Sequence, residues 1–279
     1  MVSDSQRTVS VEGAELFYST HGNGPVCLVL SAIGTVPYEN LTPPQLSDRL
    51  KLVYVDLRGG GRSTGGAADL TFDVLAADLE AIRVDLGVER IAVLGHSILG
   101  VLAIEYGRRF PASVSHVVVV GTPPTGDIAL LSAKSASFFE KDASDERKQL
   151  LRDNLSALPE SASMGETMLA QVPMRFYDAR FDAAPLFAES DVKPALLRHI
   201  MGRLTPAWSV SVGSSSLGVP ILVALGRYDY TVPYVLWDGI ADALPNATVQ
   251  IFEQSGHQPF FEEPDRFAET LSSWMASQR

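Results

Sequence analysis

The chain has 279 residues, of which 46% are apolar, and carries a formal charge of −11 with an isoelectric point near 4.9. This length fits one large domain, or one domain with a sizeable insertion, and the apolar content can form a substantial core. The acidic charge and the absence of any run of lysines or arginines make nucleic acid and anionic membranes poor partners. We therefore expect a globular protein that binds neither.

The N-terminal ten residues lack the apolar segment of a secretory signal, and the longest apolar runs are far shorter than the roughly 18 residues of a membrane-spanning helix. The single cysteine, Cys27, lies in an apolar run, where a small buried side chain is expected. No set of histidines and cysteines has the spacing of a zinc or iron site. We expect a soluble, cytoplasmic protein without a metal or other cofactor.

Strands and helices are predicted to alternate over the first 120 residues. Two β-rich runs, 8–13 and 15–20, predict an opening hairpin. Near-continuous Val, Ile and Leu predict strands buried on both faces at 25–31, 51–57, 90–97 and 114–121. Apolar residues recur at helical spacing in 73–87 and 100–111. This alternation is typical of a parallel sheet with crossover helices.

The pattern changes between about residues 125 and 217, where helical stretches and turn residues occur without a strand-like run. The remaining elements are predicted as a strand at 219–226, a helix at 232–245, a strand at 247–253 and a helix at 264–278. We therefore expect a mostly parallel, doubly wound sheet of about eight strands. Residues 1–124 and 218–279 would form this core domain, and residues 125–217 would form a helical cap inserted between two of its strands.

A possible nucleophile lies in the segment Val-Leu-Gly-His-Ser-Ile-Leu-Gly, residues 93–100, which nearly matches the nucleophile elbow G-x-S-x-G. Ser97 follows a predicted strand and precedes a predicted helix. Leu99 occupies the position of the second glycine, and Gly100 comes one residue late. We expect the helix either to be displaced slightly or to use Gly100 for its close approach to the sheet. If Leu99 instead projects into the pocket, it joins the substrate wall. Taken alone, Ser97 is more simply explained as a helix cap.

Two further residues make the serine significant. Asp229 lies just past the strand predicted at 219–226, and His257 lies in the loop after the next strand. Because the carboxyl ends of parallel strands meet at one edge of a sheet, we expect both to converge with Ser97. The chain order Ser, Asp, His is that of α/β-hydrolases. Asp127, after the strand at 114–121, is the competing acid, and Asp229 could instead cap a helix.

Four segments in this order resemble the α/β-hydrolase superfamily over nearly the whole chain. They are DLRGGGRS at 56–63, LGHS at 94–97, LGRYDYTVP at 225–233 and SGHQPFFEEP at 255–264. The chain is also similar to the proline iminopeptidase branch and to lid-bearing esterases. The resemblance implies a catalytic triad in which Ser97 attacks a carbonyl, His257 transfers the proton and Asp229 orients the imidazole.

An oxyanion hole would need two backbone N–H donors. The resemblance places one at Ile98, after the nucleophile, and the other in the loop after the third strand, where we expect Ile33, with Ala32 and Gly34 as alternatives. The superfamily usually has His-Gly at the positions of Ser31 and Ala32. The glycine-rich loop of proline iminopeptidases is missing here, which weakens the peptidase interpretation more than hydrolysis in general.

The substrate pocket is expected to be apolar. Its predicted lining comprises Gly34, Leu99, Phe138, Phe139, Met174, Phe176 and Trp208. Four acidic residues of the cap could bind a substrate amine: Glu140, Glu160, Glu166 and Glu189.

The function expected from the sequence is that of a cofactor-independent serine hydrolase acting on a small-molecule ester or lactone through an acyl-enzyme. An amide-cleaving aminopeptidase, a C–C bond hydrolase, a hydroxynitrile lyase and a non-catalytic ligand receptor on the same fold are the alternatives. The substrate and the oligomeric state are left open.

Overall fold

Eight strands form one sheet in the computed structural model, which describes residues 5–212, 217–240 and 244–278. The strands are β1 (Ser5–Val11), β2 (Ala14–His21), β3 (Val26–Ser31), β4 (Lys51–Asp56), β5 (Ile91–His96), β6 (Val114–Val120), β7 (Ile221–Gly226) and β8 (Ala247–Phe252). Their order is β1-β2-β4-β3-β5-β6-β7-β8. The first two pairs are antiparallel and the remaining pairs are parallel, which confirms the predicted architecture.

The central strands are covered on both faces. Every residue of β5 and β7 is buried, and so are all residues of β6 except Ser115. Since successive side chains of a strand point to opposite faces, burial of both sets requires helices on each side of the sheet. Cys27 of β3 is buried as expected, and burial raises the pKa of its thiol to about 12.

The described residues contain twelve α-helices. They are α1 (Thr35–Leu41), α2 (Pro44–Ser47), α3 (Phe72–Asp85), α4 (Leu99–Arg109), α5 (Ile128–Asp142), α6 (Asp145–Ser156), α7 (Met164–Ala170), α8 (Val172–Arg175), α9 (Ala184–Phe187), α10 (Pro194–His199), α11 (Pro259–Glu262) and α12 (Pro264–Ser277). A π-helical turn, Ile200–Leu204, follows α10. Within the described ranges, no helix has both the length and the apolar character needed to cross a membrane.

The prediction of a helix at 232–245 is wrong for those of its residues that the structure describes. A short 3-10 helix, Tyr234–Trp237, takes its place, and Gly239 follows with a φ of 72°. A residue in this left-handed region ends a helix, which is why the segment does not continue. Residues 241–243 lie outside the described part of the chain.

The segment between β6 and β7 contributes helices α5 to α10 and no strand among its described residues. Its two ends meet at an isolated bridge between Thr125 and Ser209. Gly126 N–H donates to the Trp208 carbonyl at 2.8 Å, and Val210 N–H donates to the Pro124 carbonyl at 2.9 Å. The segment therefore leaves and rejoins the sheet at one place. Its division from the core at 124/125 and 217/218 stays a prediction, and we use "cap segment" for residues 125–212.

Candidate active site

Ser97 lies in a strained turn between β5 and α4. Its φ is 55°, and it is the sole non-glycine residue with a positive φ among the described residues. Its N–H donates to the Val120 carbonyl at 2.8 Å, which ties the turn to the end of β6. A positive φ is unfavourable for a residue with a side chain, and such strain concentrates at functional sites. The elbow turn thus forms despite the displaced glycine.

Two glycines make this turn possible. A Cβ atom on Gly95 would lie 2.6 Å from the Gly100 Cα, and a Cβ on Gly100 would lie 2.6 Å from Cγ2 of Thr122. The first turn of α4 therefore packs directly on β5 and β6, and it does so through Gly100. Leu99 is 4% exposed and borders the cavity described below. Of the expected outcomes, the close approach through Gly100 is found, and Leu99 also lies at the cavity wall.

His257 and Asp229 form a buried pair after β8 and β7. Asp229 Oδ2 accepts a hydrogen bond from His257 Nδ1 at 2.7 Å, and Oδ1 accepts from the N–H groups of Thr231 and Val232 at 2.9 and 2.8 Å. A carboxylate accepts hydrogen bonds, so Nδ1 carries the proton and Nε2 is left as the basic nitrogen. Ser97 and His257 border the same cavity. The imidazole is therefore fixed in the tautomer that general-base catalysis requires.

Asp127, the competing acid, lies elsewhere. It is exposed and caps α5, where its Oδ1 accepts a hydrogen bond from Leu130 N–H at 3.0 Å. This is a common role for an aspartate at the start of a helix.

His96 contacts the loop after β8 that carries His257, which we call the histidine loop. Its Nε2 lies 2.9 Å from the His257 carbonyl oxygen, its Nδ1 lies 3.3 Å from the Tyr38 hydroxyl, and its ring centroid is 4.6 Å from that of His257. Burial, and then the charge of nearby His257, lower the pKa of His96 well below 6.5. His96 is therefore neutral at physiological pH and can hold the His257 backbone by a hydrogen bond.

The loop after β3 lies on the other side of Ser97. Ser31 Oγ donates to the Gly34 carbonyl at 2.6 Å and accepts from Ile33 N–H at 3.2 Å. Ile33 and Ile98 both border the cavity beside Ser97. The Ile98 N–H precedes the first turn of α4 and has no intrahelical acceptor. The roles of Ile98 and Ile33 as oxyanion donors stay predictions, and Ile33 N–H would have to share its bond to Ser31.

The segment DLRGGGRS is structural. Arg58 forms a buried ion pair with Asp78 at 2.6 Å, and the Arg62 N–H donates to Asp56 Oδ2 at 2.8 Å. Ser63 Oγ donates to the Asp56 carbonyl at 2.6 Å. Burial raises the pKa of the Asp56 carboxyl to about 6. These bonds hold the loop that follows β4 against the sheet.

A cavity of about 490 Å³ opens above Ser97 and His257, between the strand ends and the cap segment. Of the predicted pocket residues, Leu99 and Met174 border it. Phe176 borders a second cavity of about 360 Å³, and the two cavities share part of their walls. We call them the catalytic chamber and the side chamber. Both are mostly apolar.

The other predicted pocket residues line neither chamber. Phe138 and Phe139 pack on Tyr230, with ring centroids 5.7 and 5.1 Å apart. Trp208 is 7% exposed, and its Nε1 donates to Glu105 at 2.8 Å. A Cβ atom on Gly34 would face Asp191. The two phenylalanine rings of α5 thus pack on the loop after β7 that carries Asp229, which we call the acid loop. Such rings are better buried in protein than in a solvated pocket.

The predicted lining leaves out most of the wall that the cap segment provides, although Met164, Met168 and Phe187 are recognisable in the sequence as apolar cap residues that could form a pocket roof. Residues that border both chambers are Ile33, Met164, Met168, Arg175, Phe187, Leu197 and Gln258. Gln258 follows His257 directly, and that adjacency could have revealed it. Arg175 ends the short helix α8, whose position over the site depends on tertiary packing, so no local signal identified it.

The comparisons with known proteins agree with this geometry. Residues 28–264 match the sequence model of the α/β-hydrolase fold family. The chain is 31% identical over 273 residues to the AB hydrolase superfamily protein YclE of Bacillus subtilis, which covers 95% of this chain and 96% of that protein. It is 24% identical over 263 residues, 91% of each chain, to a putative carbamate hydrolase RutD of Cronobacter turicensis.

Among solved structures, a proline iminopeptidase of Mycobacterium smegmatis has a similar fold, with a TM-score of 0.77, 20% identity and 98% of both chains covered. The family match extends over most of the chain, and the eight-stranded sheet has the same architecture. The protein therefore belongs to the α/β-hydrolase fold family.

Proposed function

We propose that this protein is a serine hydrolase that cleaves a carboxylic ester or lactone through an acyl-enzyme on Ser97. The observation that carries the proposal is the 2.7 Å bond between His257 Nδ1 and Asp229 Oδ2, formed beside the one strained non-glycine residue of the described chain. A buried base oriented by a carboxylate, at the same cavity as a half-buried serine on an elbow, is the arrangement that activates a weak nucleophile.

The reaction would proceed in two halves. Ser97 Oγ attacks the substrate carbonyl carbon while its proton passes to His257 Nε2, and the tetrahedral oxyanion is held by the N–H groups of Ile98 and Ile33. The intermediate collapses, and the protonated imidazole gives its proton to the departing alcohol. Water then attacks the acyl-enzyme with His257 as the base, which releases the carboxylic acid and restores Ser97.

The chamber walls favour an ester or lactone over an N-terminal amine substrate. Among the described residues, no aspartate or glutamate borders either chamber. The cap acids Glu140, Glu160, Glu166 and Glu189 lie outside both linings. An aminopeptidase needs an acidic group to pair with the substrate ammonium, because an unpaired charge is costly to bury. This supports esterolysis over the aminopeptidase alternative.

Hydrolysis of p-nitrophenyl butyrate by the wild type and by Ser97→Ala tests the proposal. We expect the variant to lose about 10⁴-fold or more of kcat, because the three triad residues act as a unit. Ser156→Ala is the matched control, since this exposed serine lies on α6 and donates to a carbonyl of its own helix. We also expect a fluorophosphonate to label the wild type at Ser97. Equal rates for the wild type and Ser97→Ala would overturn the proposal.

A further inference from the structure

Arg175 brings a charged side chain into an otherwise uncharged wall. It borders both chambers, and no other lysine, arginine, aspartate or glutamate does so among the described residues. Its Nε atom is buried without a hydrogen-bond partner. No carboxylate of the described residues forms an ion pair with its guanidinium. Arg175 as a whole is half-buried, and a cation that is partly withdrawn from water without a partner is unfavourable, so such groups are usually paired.

The nearby protein charges cannot satisfy this cation. Asp229 is the one acidic group that acts on it through space, and that carboxylate already accepts hydrogen bonds from His257, Thr231 and Val232. Burial lowers the pKa of the Arg175 guanidinium, yet an arginine side chain stays protonated in proteins. The guanidinium therefore offers a positive charge and an unused N–H donor to whatever enters the chambers.

The backbone of Arg175 fixes it close to the reacting residues. Its carbonyl accepts the His257 N–H at 2.6 Å, and the carbonyl of Met174 accepts the Tyr230 N–H at 3.0 Å. One short cap helix is thus bonded to both the histidine loop and the acid loop. Arg175 also contributes to lowering the pKa of His96. A ligand group held by this guanidinium would lie near the site where the ester is cleaved.

Gln258 is a second unsatisfied polar group in the same walls. It is 2% exposed, its side-chain oxygen is buried without a partner, and it borders both chambers. The rest of the shared wall is apolar and includes Met168 and Leu197. The unpartnered Gln258 oxygen is an acceptor, so it can bind a hydrogen-bond donor of a ligand but not its carboxylate. A few polar groups surrounded by apolar surface are the usual composition of a ligand site.

We propose that Arg175 binds a free carboxylate of the substrate, so that the ester or lactone cleaved at Ser97 is an anion with an apolar portion in the side chamber. The inference rests on the proposed function. The planar guanidinium matches a carboxylate in two parallel hydrogen bonds. A single arginine balances the single charge of a carboxylate, whereas a phosphate dianion would leave a buried charge uncompensated.

A pair of substrates that differ in that charge tests the inference. They are the mono-p-nitrophenyl ester of suberic acid and its methyl ester, which has the same chain without the carboxylate. We expect the wild type to prefer the acid, and Arg175→Gln to lower the acid-to-methyl-ester ratio of kcat/KM by about tenfold or more. Arg175→Lys should retain part of the preference. Arg152→Gln, at an exposed position of α6, is the matched control.

The inference would be wrong if Arg175→Gln left the ratio unchanged or if the wild type preferred the methyl ester. A measurement without catalysis separates it from the proposed function. Calorimetric binding of monomethyl suberate to Ser97→Ala should weaken by about tenfold or more when Arg175→Gln is added. Equal affinities, or no binding to Ser97→Ala, would overturn the carboxylate site. A Ser97→Ala protein as active as the wild type would overturn the esterase proposal alone.

Discussion

The strand ends and the cap segment build the candidate site in different ways. At the strand ends, Ser97, Asp229 and His257 each follow a strand of one parallel sheet, and hydrogen bonds between neighbouring strand ends set their relative positions. The cap segment contributes side chains from short helices such as α7 and α8. The sheet therefore determines which atoms can react, and side-chain packing in the cap determines which molecules can reach them.

Hydrogen bonds join the two regions at several places. Asp191 N–H donates to the Ile33 carbonyl at 2.8 Å, and Tyr177 N–H donates to Glu262 Oε2 at 3.0 Å. With the bonds from α8 to the loops of Asp229 and His257, these contacts place the cap against each loop of the site. A change in the strand ends should alter chemistry or folding, whereas a change in the cap should alter selectivity.

The largest effect is expected at the acid of the proposed triad. Asp229→Asn keeps the size of the side chain but lets His257 adopt the wrong tautomer, so kcat for p-nitrophenyl butyrate should fall by about 10⁴-fold. Asp127→Asn is the matched control, because this exposed aspartate caps α5. Steady-state kinetics of both variants decide the assignment. A greater loss in Asp127→Asn would move the acid from the loop after β7 to the start of the cap segment.

A smaller effect is expected where the elbow packs on the sheet. Gly100→Ala would place a methyl group 2.6 Å from Cγ2 of Thr122, and such overpacking costs about 1–3 kcal/mol of unfolding free energy. Gly202→Ala is the matched change in the cap, where a Cβ would meet nothing within 4 Å. We expect that variant to be about as stable as the wild type or slightly more so. Urea unfolding measures both, and equal stability of the two variants would contradict this account of the elbow.

The sequence was sufficient for the strand ends because their patterns are local. Continuous apolar runs identify strands buried on both faces, and a residue that directly follows such a strand must lie at the edge of the sheet. This located Ser97, Asp229 and His257 without any tertiary information. The shift of the elbow's second glycine to position 100 could also be interpreted from the sequence. Gly100 lets α4 approach the sheet closely, and Leu99 borders the cavity above Ser97.

The sequence was insufficient for the cap because its helices are short and their orientation depends on packing. Phe138 and Phe139 look like pocket residues by type, but they bury their rings against Tyr230. Arg175 carries no local signal, since its importance comes from the lack of a partner in the folded chain. Met164, Met168 and Phe187 are apolar cap residues of a type that could line a pocket, but nothing in their spacing shows that they border both chambers.

A pH-dependent effect concerns Glu262, which joins the two regions. Its carboxylate accepts hydrogen bonds from Gly256 N–H in the histidine loop and from Tyr177 N–H in the cap, and burial raises its pKa from 4.5 to about 7. Between these values the folded protein holds a proton that the unfolded chain releases. The stability of the wild type should therefore fall as pH rises from about 4.5 to about 7, by at most about 1.4 kcal/mol per pH unit from this group.

Glu262→Gln removes this titration, so urea-unfolding midpoints of the wild type and the variant from pH 4.5 to 8 isolate it. Asp56, whose pKa is raised to about 6, titrates in the same range but is present in both proteins, and its contribution cancels in the difference. We expect the wild type to lose stability relative to Glu262→Gln up to about pH 7 and the difference to be constant above it. Parallel pH profiles would show that the carboxylate between Gly256 and Tyr177 stays ionised throughout, and that the contact between the cap and the histidine loop is insensitive to pH.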